Sequence, residues 1–365
     1  MFAWINDGLY AILKGIQGFT VYWGLAIIVF TILVRLVLTP LDIKSRASMR
    51  KTQKLQPQLQ ALQKKYANDK EKLNAKTAEL YKKAHVNPLS SCLPLLLTWP
   101  ILIAVFGAMR AVANSGMLEQ VAQILSGNQE NVNLESFLWV KNLWMADNLF
   151  ANAYPDYSSL RIITDSNVWV NWYNAEGSNV PALLSGITKE WIETLDASVL
   201  KNIPQTLIDK IAAEGFSAGC FDASYLQGTI VLIVERMKTI DFYREAITAI
   251  PGATIPLVNW SMPHLFNGLL LLPILSAVSQ LFMTKIMNGN QPAPATEGPG
   301  AGTGKFMKWF FPIFSLWICL SYSAAFALYW VAGNLVSMGQ TYVINKYLDK
   351  KEQMAAPVAG EGSVK

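Results

Sequence analysis

Arg35 stands out among the residues that could do chemistry, because it lies inside an otherwise apolar stretch. The stretch Phe19–Pro40 contains no acidic residue and has about the length needed to cross roughly 30 Å of hydrocarbon. A guanidinium at such a depth costs about 2.5–3.5 kcal/mol, so it must face water, backbone carbonyls or a cavity. The sequence therefore predicts a hydrated site with a fixed positive charge that attracts an acidic group from outside the protein. The alternative is that Arg35 snorkels to the membrane surface and carries only topological information.

Other polar side chains in the apolar stretches could line the same site. Each of them alone is more typical of a hydrogen bond between packed helices. Together they would make the inner half of a helix bundle hydrophilic. The set comprises Thr31, Thr98, Ser276, Ser279, Gln280, Asn334, Ser337 and Gln340.

The remaining inventory offers little for catalysis. The two histidines, His85 and His264, are far apart in the sequence, and no HExxH, CxxC, GxSxG or GxxxxGK[ST] pattern occurs. The apolar stretches contain no Asp or Glu, which a proton-coupled transporter generally needs as a relay. We therefore expect a protein that is not an enzyme and has no catalytic residues, no metal site and no cofactor.

Composition and apolar runs predict an all-α membrane protein. Apolar residues make up 52% of the 365 residues and charged residues 15%, against about a quarter charged in soluble domains. The last apolar block, 309–344, would be longer than 50 Å as one helix, at about 1.5 Å per residue. A hairpin turn at Ser321–Ser323 divides it into two. The sequence thus predicts a bundle of five transmembrane helices at 19–40, 88–113, 262–283, 309–324 and 325–344.

The distribution of charge predicts the orientation of these helices. Segment 41–87 carries twelve basic and four acidic residues, whereas 114–261 carries eight basic and sixteen acidic residues. Lys and Arg accumulate on the cytoplasmic side. We therefore expect a multi-pass protein of the bacterial plasma membrane, with its N-terminus outside and its C-terminus in the cytoplasm.

The segments between the spans have their own predicted structures. Apolar residues at helical spacing predict an amphipathic helix over 1–18 in the outer interface. Segment 41–87 predicts a cytoplasmic hairpin of two helices, which is either a plain solvated hairpin or a basic arm for a ribosome, an anionic membrane surface or an incoming polypeptide. The extracytoplasmic loop 114–261 contains an insertion of unknown fold at about 150–260, and Trp169, Trp172, Trp191 and Phe216 could supply its core. Within this insertion, Leu226–Met237 is a mostly apolar run, and Thr188–Leu200 is expected to form a helix with Thr188 as its cap. A cytoplasmic linker, 284–308, and a cytoplasmic tail, 345–365, complete the chain.

Several stretches together resemble the YidC/Oxa/Alb family of membrane protein insertases, in particular its bacterial branch. The resemblance covers roughly 19–150 and 262–348 and departs from the family at the insertion of about 110 residues. Thr98 also stands where the family commonly has Gln, and Trp330 where it often has Tyr. The matching stretches are Thr31–Leu41, Leu55–Ala61, Leu80–Leu96, Phe137–Val140, Leu272–Leu275, Phe306–Pro312 and Leu328–Leu335.

This resemblance implies an insertase that moves short outer segments of new membrane proteins across the bilayer and releases their spans into lipid. It implies a hydrophilic groove in which Arg35 transiently binds acidic substrate segments. The implied partners are nascent membrane proteins, the ribosome, the Sec translocon and membrane lipids, with no direct binding of nucleic acid. The implied groove residues are Arg35, Thr31, Thr98, Gln280, Tyr329, Trp330 and Asn334.

Two other functions fit the residues taken alone. The first is a small anion transporter or channel that uses Arg35 as its filter, which predicts a second cationic ring or an inverted repeat. The second is a structural protein that binds the translocon, for which Arg35 would be dispensable.

Overall fold

The computed structural model describes residues 3–84, 93–255, 260–288 and 301–355. These residues are mostly helical, in agreement with the predicted all-α class. Two 3-10 helices, Gln129–Asn131 and Ala218–Phe221, and a small antiparallel sheet of β1 (Ala249–Ile255) and β2 (Trp260–Pro263) accompany the α-helices. The α-helices are α1 (Ala3–Thr20), α2 (Trp23–Lys54), α3 (Gln56–Lys65), α4 (Lys70–Lys83), α5 (Leu93–Leu125), α6 (Tyr157–Leu160), α7 (Ser166–Tyr173), α8 (Val180–Leu184), α9 (Lys189–Glu193), α10 (Ala197–Leu200), α11 (Gln205–Glu214), α12 (Leu226–Lys238), α13 (Asp241–Ile247), α14 (Leu271–Asn288), α15 (Ala301–Ser321) and α16 (Ala324–Ala355).

The first predicted span is part of a longer helix than the sequence suggested. α2 begins at Trp23 instead of 19 and continues through Pro40 to Lys54. The residues after Pro40 include many Lys, Arg, Ala and Met residues, which are good helix formers. Pro57 lies in the first turn of α3, where a missing N–H costs no helical hydrogen bond. The predicted cytoplasmic hairpin therefore begins as a continuation of the first span.

The hairpin that follows consists of α3 and α4. Asp69 caps α4, because its carboxylate accepts a hydrogen bond from the backbone N–H of Lys72 at 3.0 Å. On the exposed face of α4, Glu79 pairs with Lys76 at 2.8 Å and Lys83 at 2.7 Å. These two ammonium groups lower the pKa of Glu79 to about 2. The hairpin is thus held by its cap and by local charge pairs on its surface.

The second and third predicted spans have different boundaries in the structure. α5 extends to Leu125, beyond the predicted end at 113. α14 begins at Leu271 instead of 262, because Asp147 caps the helix at this point. The buried carboxylate of Asp147 accepts hydrogen bonds from the backbone N–H groups of Leu270 and Leu272, at 3.1 and 2.7 Å. The residues just before α14 belong to β2 and to a bridge between Asn152 and Phe266.

The predicted linker is partly helical. α14 reaches Asn288 and α15 begins at Ala301, so both ends of segment 284–308 are helical. The linker residues 289–300, with the chain at 85–92, lie outside the described residues. The turn between α15 and α16 falls at Ser321–Ser323.

The predicted tail, 345–365, begins as an extension of α16, and 356–365 lie outside the described residues. Ion pairs hold this extension against the end of α2. Arg50 Nη1 lies 2.6 Å from Asp349 Oδ1, and Lys54 Nζ lies 2.9 Å from Glu352 Oε2. α2 and α16 therefore form a two-helix stalk beyond the predicted spans.

The long helices pack around α16. Its most extensive contacts are with α2 on one side and α14 on the other, and α15 packs against α14. α1 packs against α2 and α5. Within the described residues, two helical segments are long and apolar enough to cross a membrane, Trp23–Thr52 and Pro100–Leu125, and two shorter apolar helical segments are Leu271–Ile286 and Trp309–Ser321.

A buried amide network joins one end of the bundle to the segment 132–153. Asn142 Nδ2 donates to Gln120 Oε1 of α5 at 2.8 Å and to the carbonyl of Ala153 at 2.7 Å. Asn267 accepts the backbone N–H of Asn142 through Oδ1 at 2.8 Å and donates to the carbonyl of Ala146 at 2.8 Å. The network ties the 132–153 segment to α5 and to the residues that precede α14.

The predicted insertion is a small helical domain built from α6–α13. Trp169, predicted to be in its core, is fully buried, and its ring stacks on Phe221 at 5.7 Å. Trp172, Trp191 and Phe216, predicted with it, are partly buried against this core, and the apolar run predicted at 226–237 forms α12. The domain touches the bundle through α8 and α12, which contact α5.

Two details of this domain differ from expectation or extend it. The segment Thr188–Leu200, expected to be one helix, forms α9 and α10 instead, although Thr188 does cap α9. Tyr243 is fully buried and donates to the carbonyl of Pro155 at 2.8 Å, and burial raises the pKa of its phenol well above the usual value. Burial also raises the pKa of the Cys220 thiol.

Candidate functional site

The structure places Arg35 on the face of α2 that packs against α16. A Cβ atom at Gly333 of α16 would lie 3.4 Å from Arg35 Nη2 and 3.8 Å from Thr31 Cγ2. The bare glycine thus allows the guanidinium to lie along the backbone of α16. Thr31 is buried and donates to the carbonyl of Ile27 at 2.7 Å. Arg35 and Thr31, predicted together, do lie together, and Gly333 is the position that the sequence analysis missed.

Tyr329 and Trp330 lie one helical turn before Gly333. Tyr329 is buried and within the electrostatic reach of Arg35. The Trp330 ring begins an aromatic column that leads away from Arg35 toward the turn between α15 and α16. Trp330 packs on Phe326 with 5.6 Å between ring centroids, and Phe106 of α5 packs on Phe326 at 5.1 Å. The rings of Trp330, Phe326 and Phe106 thus form an aromatic column at one end of the site.

Asn334 connects α16 to α14. Its Nδ2 donates to Ser279 Oγ at 2.9 Å, and Ser279 donates in turn to the carbonyl of Ser276 at 3.0 Å. Ser276 also donates to the carbonyl of Ser315 in α15 at 3.2 Å. Ser279, which was predicted to line the site together with its neighbour Gln280, makes this contact with α16. Asn334 is thus both a predicted site residue and a helix-packing residue.

Two further contacts extend the seam between α2 and α16 beyond Arg35. Gln340 Nε2 donates to Thr39 Oγ1 and to the carbonyl of Arg35, both at 2.9 Å. Two turns farther along α2, Arg46 Nη2 donates to Thr341 Oγ1 at 2.6 Å. Thr39 and Arg46 could have been found from the sequence, because they follow Arg35 at helical spacing on the same face of α2.

Several buried polar atoms near this seam have no hydrogen-bond partner among the described residues. On α16 they are Trp330 Nε1, Ser337 Oγ and Gln340 Oε1, and on α15 the Ser315 Oγ atom. Buried polar groups in folded proteins are nearly always hydrogen-bonded, to protein or to water. Unpartnered polar atoms along a helix pair that carries a partly buried cation are typical of a site that binds water or a polar ligand.

The site carries the positive charge of Arg35, and no direct ion pair neutralises it among the described residues. In the described chain, no carboxylate lies within ion-pair distance of Arg35. The acidic residue that acts on it electrostatically is Asp42, seven residues farther along α2. An acidic ligand could therefore pair with Arg35 without displacing a direct ion pair.

One predicted groove residue, Thr98, cannot be placed in the site. The side chain of Thr98 lies outside the described residues. No group of three or more His, Cys, Asp or Glu side chains that could hold a metal occurs within the described part of the chain.

Two cavities lie elsewhere, at the junction of the bundle with the α6–α13 domain. Their volumes are about 540 and 1110 Å³, and Arg110 and Asn114 line both. Arg110 Nη2 donates to the carbonyl of Ile162, so this arginine docks the domain onto α5. Neither cavity is lined by a predicted groove residue.

The chain is similar to one family of membrane proteins over most of its length. A family described as "60Kd inner membrane protein" matches residues 15–189 and 222–352. The matched segments include the whole seam between α2 and α16 and leave out the part of the inserted domain around α11.

Individual relatives carry the name "Membrane protein insertase YidC". The chain is 51% identical to that of Fusobacterium nucleatum over 89 residues, which are 24% of this chain and 43% of the relative. It is 38% identical to that of Anaeromyxobacter dehalogenans over 151 residues, 41% of this chain and 24% of the relative. It is 40% identical to that of Clostridium tetani over 141 residues, 38% of this chain and 56% of the relative. The chain thus spans between about a quarter and just over half of the length of these relatives.

Proposed function

The chain belongs to the 60Kd inner membrane protein family, and from that premise we propose that it is a membrane protein insertase. It inserts and folds newly made membrane proteins in the plasma membrane. Its substrates are nascent proteins with a short, weakly charged outer segment. The seam between α2 and α16 forms the hydrophilic groove in which Arg35 pairs with an acidic residue of that segment.

The observation that carries this proposal is the partly buried cation of Arg35 on a seam of unpartnered polar atoms. Arg35 has no direct carboxylate partner among the described residues, and Trp330 Nε1, Ser337 Oγ and Gln340 Oε1 lie along the same helix pair. Water at these atoms would solvate a polar segment on its way through the bundle. The hydrocarbon that such a segment must cross is then shorter than a full bilayer.

The groove needs no nucleotide or catalytic group for this work. Pairing with Arg35 offsets part of the cost of bringing a carboxylate into a low-dielectric region. Burial of the substrate's apolar span in lipid then drives the reaction at about 25 cal/mol per Å² of apolar surface. The carboxylate leaves Arg35 when it reaches water on the other side.

The proposal includes five transmembrane helices, formed within α2, α5, α14, α15 and α16, with the N-terminus outside. The basic hairpin of α3 and α4 then lies in the cytoplasm and the α6–α13 domain outside. The Lys72→Cys variant should react with a membrane-impermeant maleimide only in opened cells, and the Glu176→Cys variant should react already in intact spheroplasts. The reverse pattern would refute this orientation.

The proposed partners follow from the same arrangement. The α3–α4 hairpin, with its exposed lysines, contacts the ribosome and the anionic membrane surface and receives the substrate first. The outer face cooperates with the Sec translocon on larger substrates. Membrane lipids receive the released span.

Insertion into liposomes tests the proposal. A single-span substrate with one acidic residue in its outer segment is synthesised beside proteoliposomes, and the protease-protected fraction is measured. We expect activity with the wild type and with Arg35→Lys, and loss with Arg35→Ala. Arg50→Ala is the matched control, because it removes a cation from the same helix but outside the groove.

Each outcome has a distinct meaning. Full activity of Arg35→Ala would show that the charge of Arg35 is dispensable and would leave only a hydrated groove. A wild type that inserts nothing would refute the insertase function. Anion flux through the same liposomes would then favour a small anion channel.

A further inference from the structure

The face of α2 that meets α16 carries a carboxylate as well as two arginines. Thr39 contacts Gln340, and Arg46 contacts Thr341. Residues three and four apart share one face of a helix. Asp42 lies three residues after Thr39 and four before Arg46, so it faces the same seam.

Asp42 is placed where its charge can act on a ligand of Arg35. It is half-buried, and the positive charges of both Arg35 and Arg46 act on its carboxylate. The Cα atoms of Arg35 and Asp42 are about 10 Å apart along the helix axis, at 1.5 Å per residue. Charges at this distance interact appreciably where water is partly excluded.

Asp42 also differs from the other carboxylates of this helix pair. Asp349 and Glu352 are held by Arg50 and Lys54 at 2.6 and 2.9 Å. No such direct ion pair involves Asp42 in the part of the chain that the structure describes. The negative charge of Asp42 is therefore only partly neutralised and remains available to repel an anion.

We infer that Asp42 limits the number of negative charges that the groove admits, an inference that rests on the proposed insertase function. A substrate segment with one acidic residue pairs it with Arg35. A second acidic residue, a few positions away on an extended segment, comes to lie beside Asp42 and is repelled. The residue thus determines specificity for weakly charged segments.

The test is insertion of a charge series. Three single-span substrates carry one, two or three acidic residues in the outer segment, and each is offered to proteoliposomes of the wild type, Asp42→Asn, Asp42→Glu and Asp349→Asn. The measured quantity is the ratio of two-acid to one-acid insertion. We expect Asp42→Asn to raise this ratio by roughly fivefold or more, because two like charges about 4 Å apart repel each other to this extent even in bulk water.

The controls separate charge from structure. Asp42→Glu should keep the wild-type ratio, because it keeps the charge. Asp349→Asn should also keep it, because that carboxylate is exposed and lies in the stalk. Raising the salt concentration should reduce the difference between Asp42→Asn and the wild type, because ions screen the partly exposed pair.

Three results would overturn the inference. The first is an identical ratio for the wild type and Asp42→Asn while both insert the one-acid substrate, which would leave the insertase function intact. The second is an equal loss of all three substrates in both Asp42→Asn and Asp42→Glu, which would assign Asp42 a structural role. The third is a wild type that inserts no substrate, which would refute the insertase function and the role of Asp42 with it.

Discussion

The buried carboxylate of Asp147 should be one of the most sensitive positions of the fold. It is fully buried and accepts three hydrogen bonds, from Trp139 Nε1 at 3.0 Å and from the backbone N–H groups of Leu270 and Leu272 at 3.1 and 2.7 Å. It also caps α14, which carries Ser279 to its contact with Asn334. We expect Asp147→Asn to destabilise the protein, although the two side chains have the same shape.

The size of this destabilisation follows from what happens to the three hydrogen-bond donors. In the better of its two orientations, the Asn amide keeps the acceptor that faces Trp139 and Leu272 and turns its NH₂ group toward the N–H of Leu270. The two remaining bonds lose their charge-assisted character, at about 1 kcal/mol each, and the Leu270 N–H loses its partner, at about 1–3 kcal/mol. The sum is about 3–5 kcal/mol, which corresponds to a decrease of roughly 5–15 °C in apparent unfolding temperature.

The assay is thermal unfolding of the purified protein in detergent, followed by intrinsic fluorescence at one scan rate. Gly268→Ala should produce a similar loss, because its Cβ would lie 2.0 Å from Asp147 Oδ1. Asp165→Asn is the matched control: Asp165 caps the exposed start of α7, and Asn is an equally good cap. An unfolding temperature for Asp147→Asn within 1 °C of the wild type, on the order of the effect of a neutral surface substitution, would refute the argument.

Two more predictions concern the hairpin and the bundle. The pKa of Glu79 is about 2, below its usual 4.5. The stabilisation from Lys76 and Lys83 is therefore complete above pH 4.5 and is lost as the pH falls toward 2. Circular dichroism of the protein should show α4 losing helicity over this range, and Glu79→Gln should reduce that change. Gly24→Ala should lower the unfolding temperature, because its Cβ would lie 2.1 Å from the Phe137 ring, and such overpacking costs about 1–3 kcal/mol.

Each of these predictions has its own control. A pH-dependent loss of equal size in Glu79→Gln would contradict the role given to the Lys76 and Lys83 pair. Gly18→Ala adds the same methyl group inside α1, where no atom of the described chain lies within 4 Å, so it should leave the unfolding temperature unchanged or raise it slightly, because Ala is the better helix former. If Gly24→Ala were equally silent, the close packing of Phe137 against α2 would be wrong.

The family and the helical class could be predicted from the sequence, because both depend on local patterns. The resemblance rested on several short stretches in a fixed order, and the family match over residues 15–189 and 222–352 confirms it. The ends of the helices were harder to predict. The start of α14 is fixed by Asp147, more than a hundred residues earlier in the chain, and no local signal near 262 reports that contact.

The site was predicted in its residue types but not in its contacts. Arg35 and Thr31 meet α16 because Gly333 lacks a side chain, and a glycine inside an apolar run is not informative until the helix pairing is known. Gln280 was chosen for its amide and stays a prediction, and the hydrogen bond from Asn334 of α16 goes to its neighbour Ser279. Asp42 was counted as part of the basic hairpin, because α2 was expected to end at Pro40.

The distribution of unsatisfied polar atoms along α16 indicates from which side the proposed groove receives its substrate. Trp330 Nε1, Ser337 Oγ and Gln340 Oε1 all lie from the start of the aromatic column toward the stalk, in the proposed cytoplasmic direction. On the other side of the aromatic column, the Asn142 and Asn267 amides are bonded to protein partners, whereas Asn152 Oδ1 has none among the described residues. A cavity of about 540 Å³ also lies on that side, and Phe106 and Phe326 line it. The packed rings of the column lie between this cavity and the unpartnered atoms of α16. We therefore expect a polar segment to reach Arg35 from the stalk side, while the aromatic rings prevent a continuous water-filled path for ions.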